Sequence, residues 1–180
     1  MGVVWLVTGA QGSGKSTTAD LLARTYERGV HVRGGQFYRW AVTGWVHPFG
    51  PDPEEATRLL DLRYRLSALA ADQYATAGFA AVVQDNIYGD DVPRWLSRAG
   101  DHAIHLVVLR PDIAVVAARD DARRRTTDKV AYRDGFTPAM NDKLVASVPH
   151  ELGLWIDTSK QTPEQSLAEI IARASEARVR

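Results

Sequence analysis

The chain has 180 residues, enough for one domain with a full core built around a sheet. Its formal charge is zero and it has no cysteine, so nothing global points to nucleic acid or an anionic membrane, and disulfides, thiolate zinc sites and cysteine nucleophiles are excluded. No stretch approaches the roughly eighteen apolar residues of a membrane span, and the first strand starts too early to leave room for a signal peptide. The expectation is a cytoplasmic protein, monomer or homodimer, with no membrane or nucleic-acid partner.

Val3 to Val7 is an apolar run that reads as a buried strand. Gly9-Ala-Gln11-Gly12-Ser13-Gly14-Lys15-Ser16 follows, then Thr17, and the run fits G-x-x-x-x-G-K-[ST]. Behind it Ala19, Leu22, Ala23 and Tyr26 take the i, i+3, i+4, i+7 spacing of one helix face. A strand, a glycine loop and a helix in that order form a phosphate cradle, because loop N–H groups and the positive helix end converge on one point. Lys15 is then placed to reach the β- and γ-phosphates, and the Ser16 hydroxyl to ligate Mg²⁺. A glycine-rich turn with a chance lysine would not need this context on both sides.

Gly29 ends the next turn, and Val30 to Val32 reads as a second strand. Arg33-Gly-Gly-Gln36-Phe37-Tyr-Arg39-Trp40 leaves it, continuing through Trp45, His47 and Phe49. In an open parallel sheet ligands gather at the carboxyl ends of strands, so this segment is a candidate acceptor pocket, with Arg33, Gln36, Phe37 and Trp40 as its contacts. Aromatics line cores as well as pockets, and core or lid packing is the alternative. A helix is expected from about Glu54 to Thr76, with Leu59, Leu62, Leu66 and Leu69 as its core stripe and Gly78 closing it.

Phe79 to Val83 is a third apolar run, ending in Gln84-Asp85-Asn86. If this strand lies beside the first, Asp85 emerges next to the phosphate loop, where a carboxylate can hold the Mg²⁺ shell or accept a proton from an attacking hydroxyl. An Asp closing a strand also serves as a turn residue or helix cap. Asp90 or Asp91 is expected to cap a short helix containing Trp95 and Leu96. Ile104 to Leu109 is a fourth strand, followed by a helix whose inner side carries Val115 and Ala118.

That helix runs into Arg119-Asp-Asp-Ala-Arg123-Arg124-Arg125, with Lys129 and Arg133 beyond. A basic cluster here suits a phosphate-closing lid at about 119–137, whose guanidinium groups offset charge on the transferring phosphoryl oxygens. A solvated helix end would also favour cations. A helix is expected from Pro138 to Ser147, and Leu152 to Ile156 is the fifth strand. It delivers Asp157-Thr158-Ser159, a loop suited to rest against the adenine ring. Thr162, Pro163 and Gln165 spell a helix start with a capping box, and Leu167, Ile170, Ile171 and Ala174 follow as its buried face.

Phosphate loop, Asp-ending third strand, arginine-rich lid and Asp-Thr-Ser loop together resemble the small P-loop kinases, most closely the chloramphenicol phosphotransferase-like and gluconate/shikimate kinase-like group. The resemblance covers nearly the whole chain. It implies a three-layer α/β/α fold with a five-stranded parallel sheet ordered 2-3-1-4-5. It also implies ATP with Mg²⁺ and transfer of the γ-phosphoryl to a hydroxyl of a small metabolite or antibiotic. Lys15, Asp85, Arg119 and Arg123 would then be catalytic. The nucleotide would lie over Gly9, Gln11, Gly12, Ser13, Gly14, Lys15, Ser16, Thr17 and Thr158, with the metal at Ser16 and Asp85, and the acceptor region would span about 33–58. One departure stands out. Many such kinases carry an Asp just after strand two, as the base at the acceptor hydroxyl, and here that place is Gly35, followed by Gln36. Either Asp85 takes the base role, or Gln36 only positions the acceptor, or catalysis relies on charge stabilisation alone, because a loose phosphoryl transition state asks little of a base. A nucleoside or nucleotide kinase is a further reading, with Arg33, Arg39 and Arg58 available for a second phosphate. A regulatory NTPase without acceptor is another.

Overall fold

The computed structural model describes residues 2–47, 50–126, 132 and 135–180. Along the chain run β1 (Val3–Gly9), α1 (Lys15–Arg24), β2 (Gly29–Arg33), α2 (Gly35–Arg39), α3 (Pro53–Thr76), β3 (Ala80–Gln84) and α4 (Asp91–Arg98). The second half adds β4 (Ala103–Leu109), α5 (Ile113–Thr126), α6 (Pro138–Ala146), β5 (Leu154–Ile156), α7 (Pro163–Ala172) and α8 (Ala174–Ala177). The strands form one parallel sheet in the order β2-β3-β1-β4-β5, as the resemblance implied.

Register decides where the loops meet. Arg33 of β2 lies beside Gln84 of β3, and Gln84 lies beside Val7 of β1, so the segments that leave these three strands emerge along one rim. Both sheet faces are covered, which is why the strands read as continuous apolar runs rather than alternating ones. Val4, Leu6, Val83, Leu106 and Val108 pack with Tyr64, Ala68 and Trp95 on one face. Trp5, Val7, Val82, Val107 and Leu109 pack with Ala19, Leu22 and Ile170 on the other.

Several helix expectations need correction. The leucine stripe of α3 is not its buried face: Leu62 and Leu69 are exposed, while Ala56, Tyr64, Ser67, Ala68, Ala71 and Ala75 are buried. Small side chains let this helix approach the sheet so closely that Gly2 has no room for a methyl group beside Ala75. Side-chain size, rather than hydropathy, selects the face. In α5 the buried positions are Val116 and Asp120, not Val115 and Ala118, and in α7 Ile171 points outward while Ser166 and Ile170 are buried. Helix α1 stops at Arg24, so Tyr26 lies past its end, where its hydroxyl accepts a hydrogen bond from Trp5 Nε1 at 2.8 Å. Just after β2 the chain forms the short α2, a helix that was not read from the sequence. The capping box of α7 is present as read, Thr162 and Gln165 each bonding the other's backbone N–H. Among the described residues no helix is long and apolar enough to cross a membrane. Phe49, Lys129 and Arg133 lie outside the described residues.

Candidate active site

The phosphate loop closes between β1 and α1. Gly12 and Gly14 take φ of 84° and 95°, in the left-handed region that residues with a Cβ rarely occupy. Gly14 is the N-cap of α1, and its carbonyl accepts from the N–H groups of Thr17 and Thr18 at 3.1 and 3.0 Å. Lys15 is buried, and its Nζ donates to the carbonyls of Gly9 at 2.9 Å and Ala10 at 2.6 Å. Burial, helped by the nearby Arg123 and Arg63 charges, lowers its pKa to about 7. Ser13 is also buried, and its Oγ has no hydrogen-bond partner among the described residues. Such an orphan facing a hollow fits a ligand that brings its own polar atoms.

A polar web from α6 steadies the loop. Asn141, fully buried, accepts from Gln11 N–H at 2.6 Å through Oδ1 and donates through Nδ2 to the Tyr88 hydroxyl at 3.0 Å. Tyr88 donates to Gly9 O at 3.0 Å, and the Tyr132 hydroxyl donates to Gln11 O at 2.7 Å. None of these three residues was singled out from the sequence, because each is distant in the chain and becomes polar support only through the fold.

Three hollows adjoin around this loop. One of about 250 Å³ lies between the loop, α5 and the start of α7, walled by Gly12, Ser13, Arg119, Thr158 and Ser166. There the Arg119 guanidinium donates to Thr158 O at 2.8 Å, and Thr158 Oγ1 donates to Ser13 O at 3.1 Å. A second, of about 220 Å³, sits directly on the loop, with Lys15, Ser16, Thr17 and Arg123 around it. Arg123 borders both. The third and largest, about 920 Å³, opens on the other side and shares Gln11, Ser16, Gln84 and Asn86 with the second. Arg33, Gln36, Tyr38, Arg39, Trp45 and Arg63 line it.

Among the candidate residues from the sequence, Gln11 to Thr17, Arg119, Arg123, Thr158, Arg33 and Gln36 border one of these hollows, and Gly9 lines none of them but accepts from Lys15 Nζ through its carbonyl. Asp85 is placed differently. It is wholly buried behind β3, gripped by Arg63 of α3, and its Oδ1 also accepts from Asn86 N–H at 2.7 Å. The side chain beside Ser16 is Gln84, whose Oε1 accepts from Ser16 Oγ at 3.1 Å. Phe37 and Trp40 turn away from the large hollow: they meet edge to face at 5.0 Å and border an apolar groove outside β2 with Ala70 and Tyr74. Arg58 pairs with Glu55 on the exposed side of α3, and Arg63, one turn and a fraction further on, faces inward instead.

No family model matches the chain. A curated relative, a cytidylate kinase of Haloquadratum walsbyi, is 27% identical over 165 residues, spanning 84% of this chain and 82% of its own. A sugar kinase structure from Janibacter sp. HTCC2649 superposes with a TM-score of 0.65 at 19% identity, over 98% of this chain and 96% of its own. The tunicamycin resistance protein of Deinococcus radiodurans gives a TM-score of 0.64 at 20% identity, over 100% and 99%. With its strand order and its glycine loop at the head of α1, the chain has the fold of the small P-loop kinases.

Proposed function

We propose that the protein is an ATP-dependent phosphotransferase that moves the γ-phosphoryl group onto a small molecule held in the large hollow. The observation that carries this reading is the order of the three hollows. The hollow against Arg119 and Thr158, the one on the phosphate loop and the roomier one past Ser16 share walls in sequence. A nucleotide lying along that line would present its terminal phosphate to whatever occupies the third space, which is the arrangement a transfer needs. An acceptor-free NTPase has no use for a cavity of that size on the far side of the phosphate.

On this reading Lys15 exchanges its two carbonyl partners for phosphate oxygens, and Arg123 flanks the same phosphates. Arg119 holds the nucleoside side of the loop against Thr158. Among the described residues no group of three His, Cys, Asp or Glu side chains forms a metal cage, so a magnesium ion would be held by phosphate oxygens with the Ser16 hydroxyl. Such an ion would spread the charge of the β- and γ-oxygens. The hydroxyl acceptor expected from the sequence remains one class; the cytidylate kinase relative supports a phosphate-bearing acceptor as the other.

The test is ADP release over a panel of alcohols, nucleosides, nucleoside monophosphates and sugars, beside Lys15→Ala. Acceptor-stimulated turnover that the lysine variant loses supports the proposal. Turnover indifferent to every acceptor, or no binding of magnesium ATP by calorimetry, defeats it.

A further inference from the structure

We infer that the acceptor is a phosphate monoester whose phosphate oxygen is itself the nucleophile, so that the product is a phosphoanhydride rather than a sugar- or alcohol-type ester. This rests on the transfer reading above and narrows it.

The lining of the large hollow carries the argument. Its charged residues are three arginines, Arg33, Arg39 and Arg63, and no Asp, Glu, His or Lys stands among its described lining residues. The Asp85 carboxylate already offsets Arg63. Arg33 and Arg39 have no carboxylate partner among the described residues, and both are exposed to the cavity's solvent. Two unopposed guanidinium groups match the charge of a phosphate monoester, roughly −1.5 to −2 at pH 7. Guanidinium forks also suit the oxygens of phosphate better than a neutral hydroxyl.

The same lining is short of a base. An alcohol must lose its proton as it attacks, and the groups near the hollow are poorly suited to take it. Asp85 is buried and bonded to Arg63, and burial raises the Tyr38 pKa, keeping the phenol protonated. At Gly35, where a carboxylate base would have stood, a Cβ meets nothing within 4 Å, so the space is open and unused. A phosphate dianion needs no base, because its attacking oxygen is already deprotonated. Tyr38 and Trp45, meeting edge to face at 6.1 Å on one wall, offer flat apolar surface to a ring on the same acceptor. A nucleoside monophosphate combines both features.

The chemistry balances without a proton. The bond between the γ-phosphorus and the β,γ-bridging oxygen breaks, leaving ADP, and a bond forms between that phosphorus and an oxygen of the acceptor phosphate. ATP and a phosphate dianion give ADP and a diphosphate with total charge unchanged. Transfer to a hydroxyl, in contrast, releases one proton for each ADP.

The experiment measures ADP and proton release together at pH 8.5 in weakly buffered solution. Probes are nucleoside monophosphates, sugar phosphates, and the parent nucleosides and sugars. The expected result is ADP formation with a phosphate monoester, near-zero proton release per ADP, and no use of the parent alcohol. Which monoester works separates nucleotide from sugar sources. Arg33→Gln and Arg39→Gln should each raise the acceptor KM roughly ten-fold or more, leaving the ATP KM within about two-fold. One proton per ADP with any acceptor, or an unchanged acceptor KM in both variants, overturns the inference while leaving phosphoryl transfer intact. ADP release that ignores all probes overturns both.

Discussion

Arg63 of α3 grips the buried Asp85 carboxylate with two nitrogens, Nε standing 3.1 Å from Oδ2 and Nη2 meeting Oδ1. The pair ties the long helix to the end of β3, and the aromatic face of Tyr38 lies 4.9 Å from the guanidinium carbon. Its partners are too deeply buried for either to stand alone. Asp85→Asn should therefore cost about 3–5 kcal/mol in urea unfolding, because it strands a buried cation. Measured at low temperature, the folded fraction should keep its magnesium dependence. Full stability with a large rise in the magnesium requirement would instead assign the carboxylate to the metal.

Two neighbouring glycines should respond in opposite ways. A methyl group on Gly34 would overlap Asp85 Oδ2, whereas one on Gly35 meets nothing within 4 Å. Gly34→Ala should lose about 1–3 kcal/mol through overpacking against the buried pair. Gly35→Ala, at the start of α2, should be neutral or gain up to about 1 kcal/mol by restricting the unfolded chain. Equal melting shifts in the two variants would contradict the close approach of Gly34 to the carboxylate.

The phosphate loop and the five strands were legible from sequence because they depend on local signals, a spaced motif, apolar runs and turn residues, whereas the order of the strands came from the resemblance to the small P-loop kinases. What was not legible depends on distance in the chain. Tyr88, Tyr132 and Asn141 meet at the loop only once α6 folds over it. The sequence shows Asp85 at the end of a strand but hides its partner Arg63, 22 positions earlier on another element. The leucines of α3 misled for a different reason. Apolar periodicity reports which face could be buried, and the alanine face fits closer to the sheet.

Asn141 should act on nucleotide binding from outside the nucleotide's reach. Its Oδ1 fixes Gln11 N–H, and its Nδ2 orients the Tyr88 hydroxyl that bonds Gly9 O. Asn141→Leu leaves a buried N–H and a buried hydroxyl short of partners, at about 1–3 kcal/mol. The loop's resting shape then loosens, so the ATP KM should rise roughly ten-fold while the acceptor KM changes little. A variant with unaltered ATP KM would show that the web supports the core and not the loop.

Lys15 should make nucleotide binding a proton-coupled event. Its folded pKa of about 7, against an ordinary value of 10.5, leaves the amine mostly neutral at pH 8 in the free protein. Between those two pH values the unfolded chain holds a proton that the folded one has lost, so this group's contribution to stability rises with pH and is lost as pH falls through about 7. A triphosphate beside the amine favours the charged form and restores the proton. Calorimetric titration of magnesium ATP at pH 8, in buffers of different ionisation heat, should show uptake of roughly half a proton or more. At pH 6 the free amine is already charged and the uptake should shrink toward zero. Lys15→Met should abolish it at both pH values. Equal buffer-independent heats at pH 8 for the unaltered protein would mean that the ammonium is charged before the nucleotide arrives, and that the carbonyls of Gly9 and Ala10 alone suffice to hold it so.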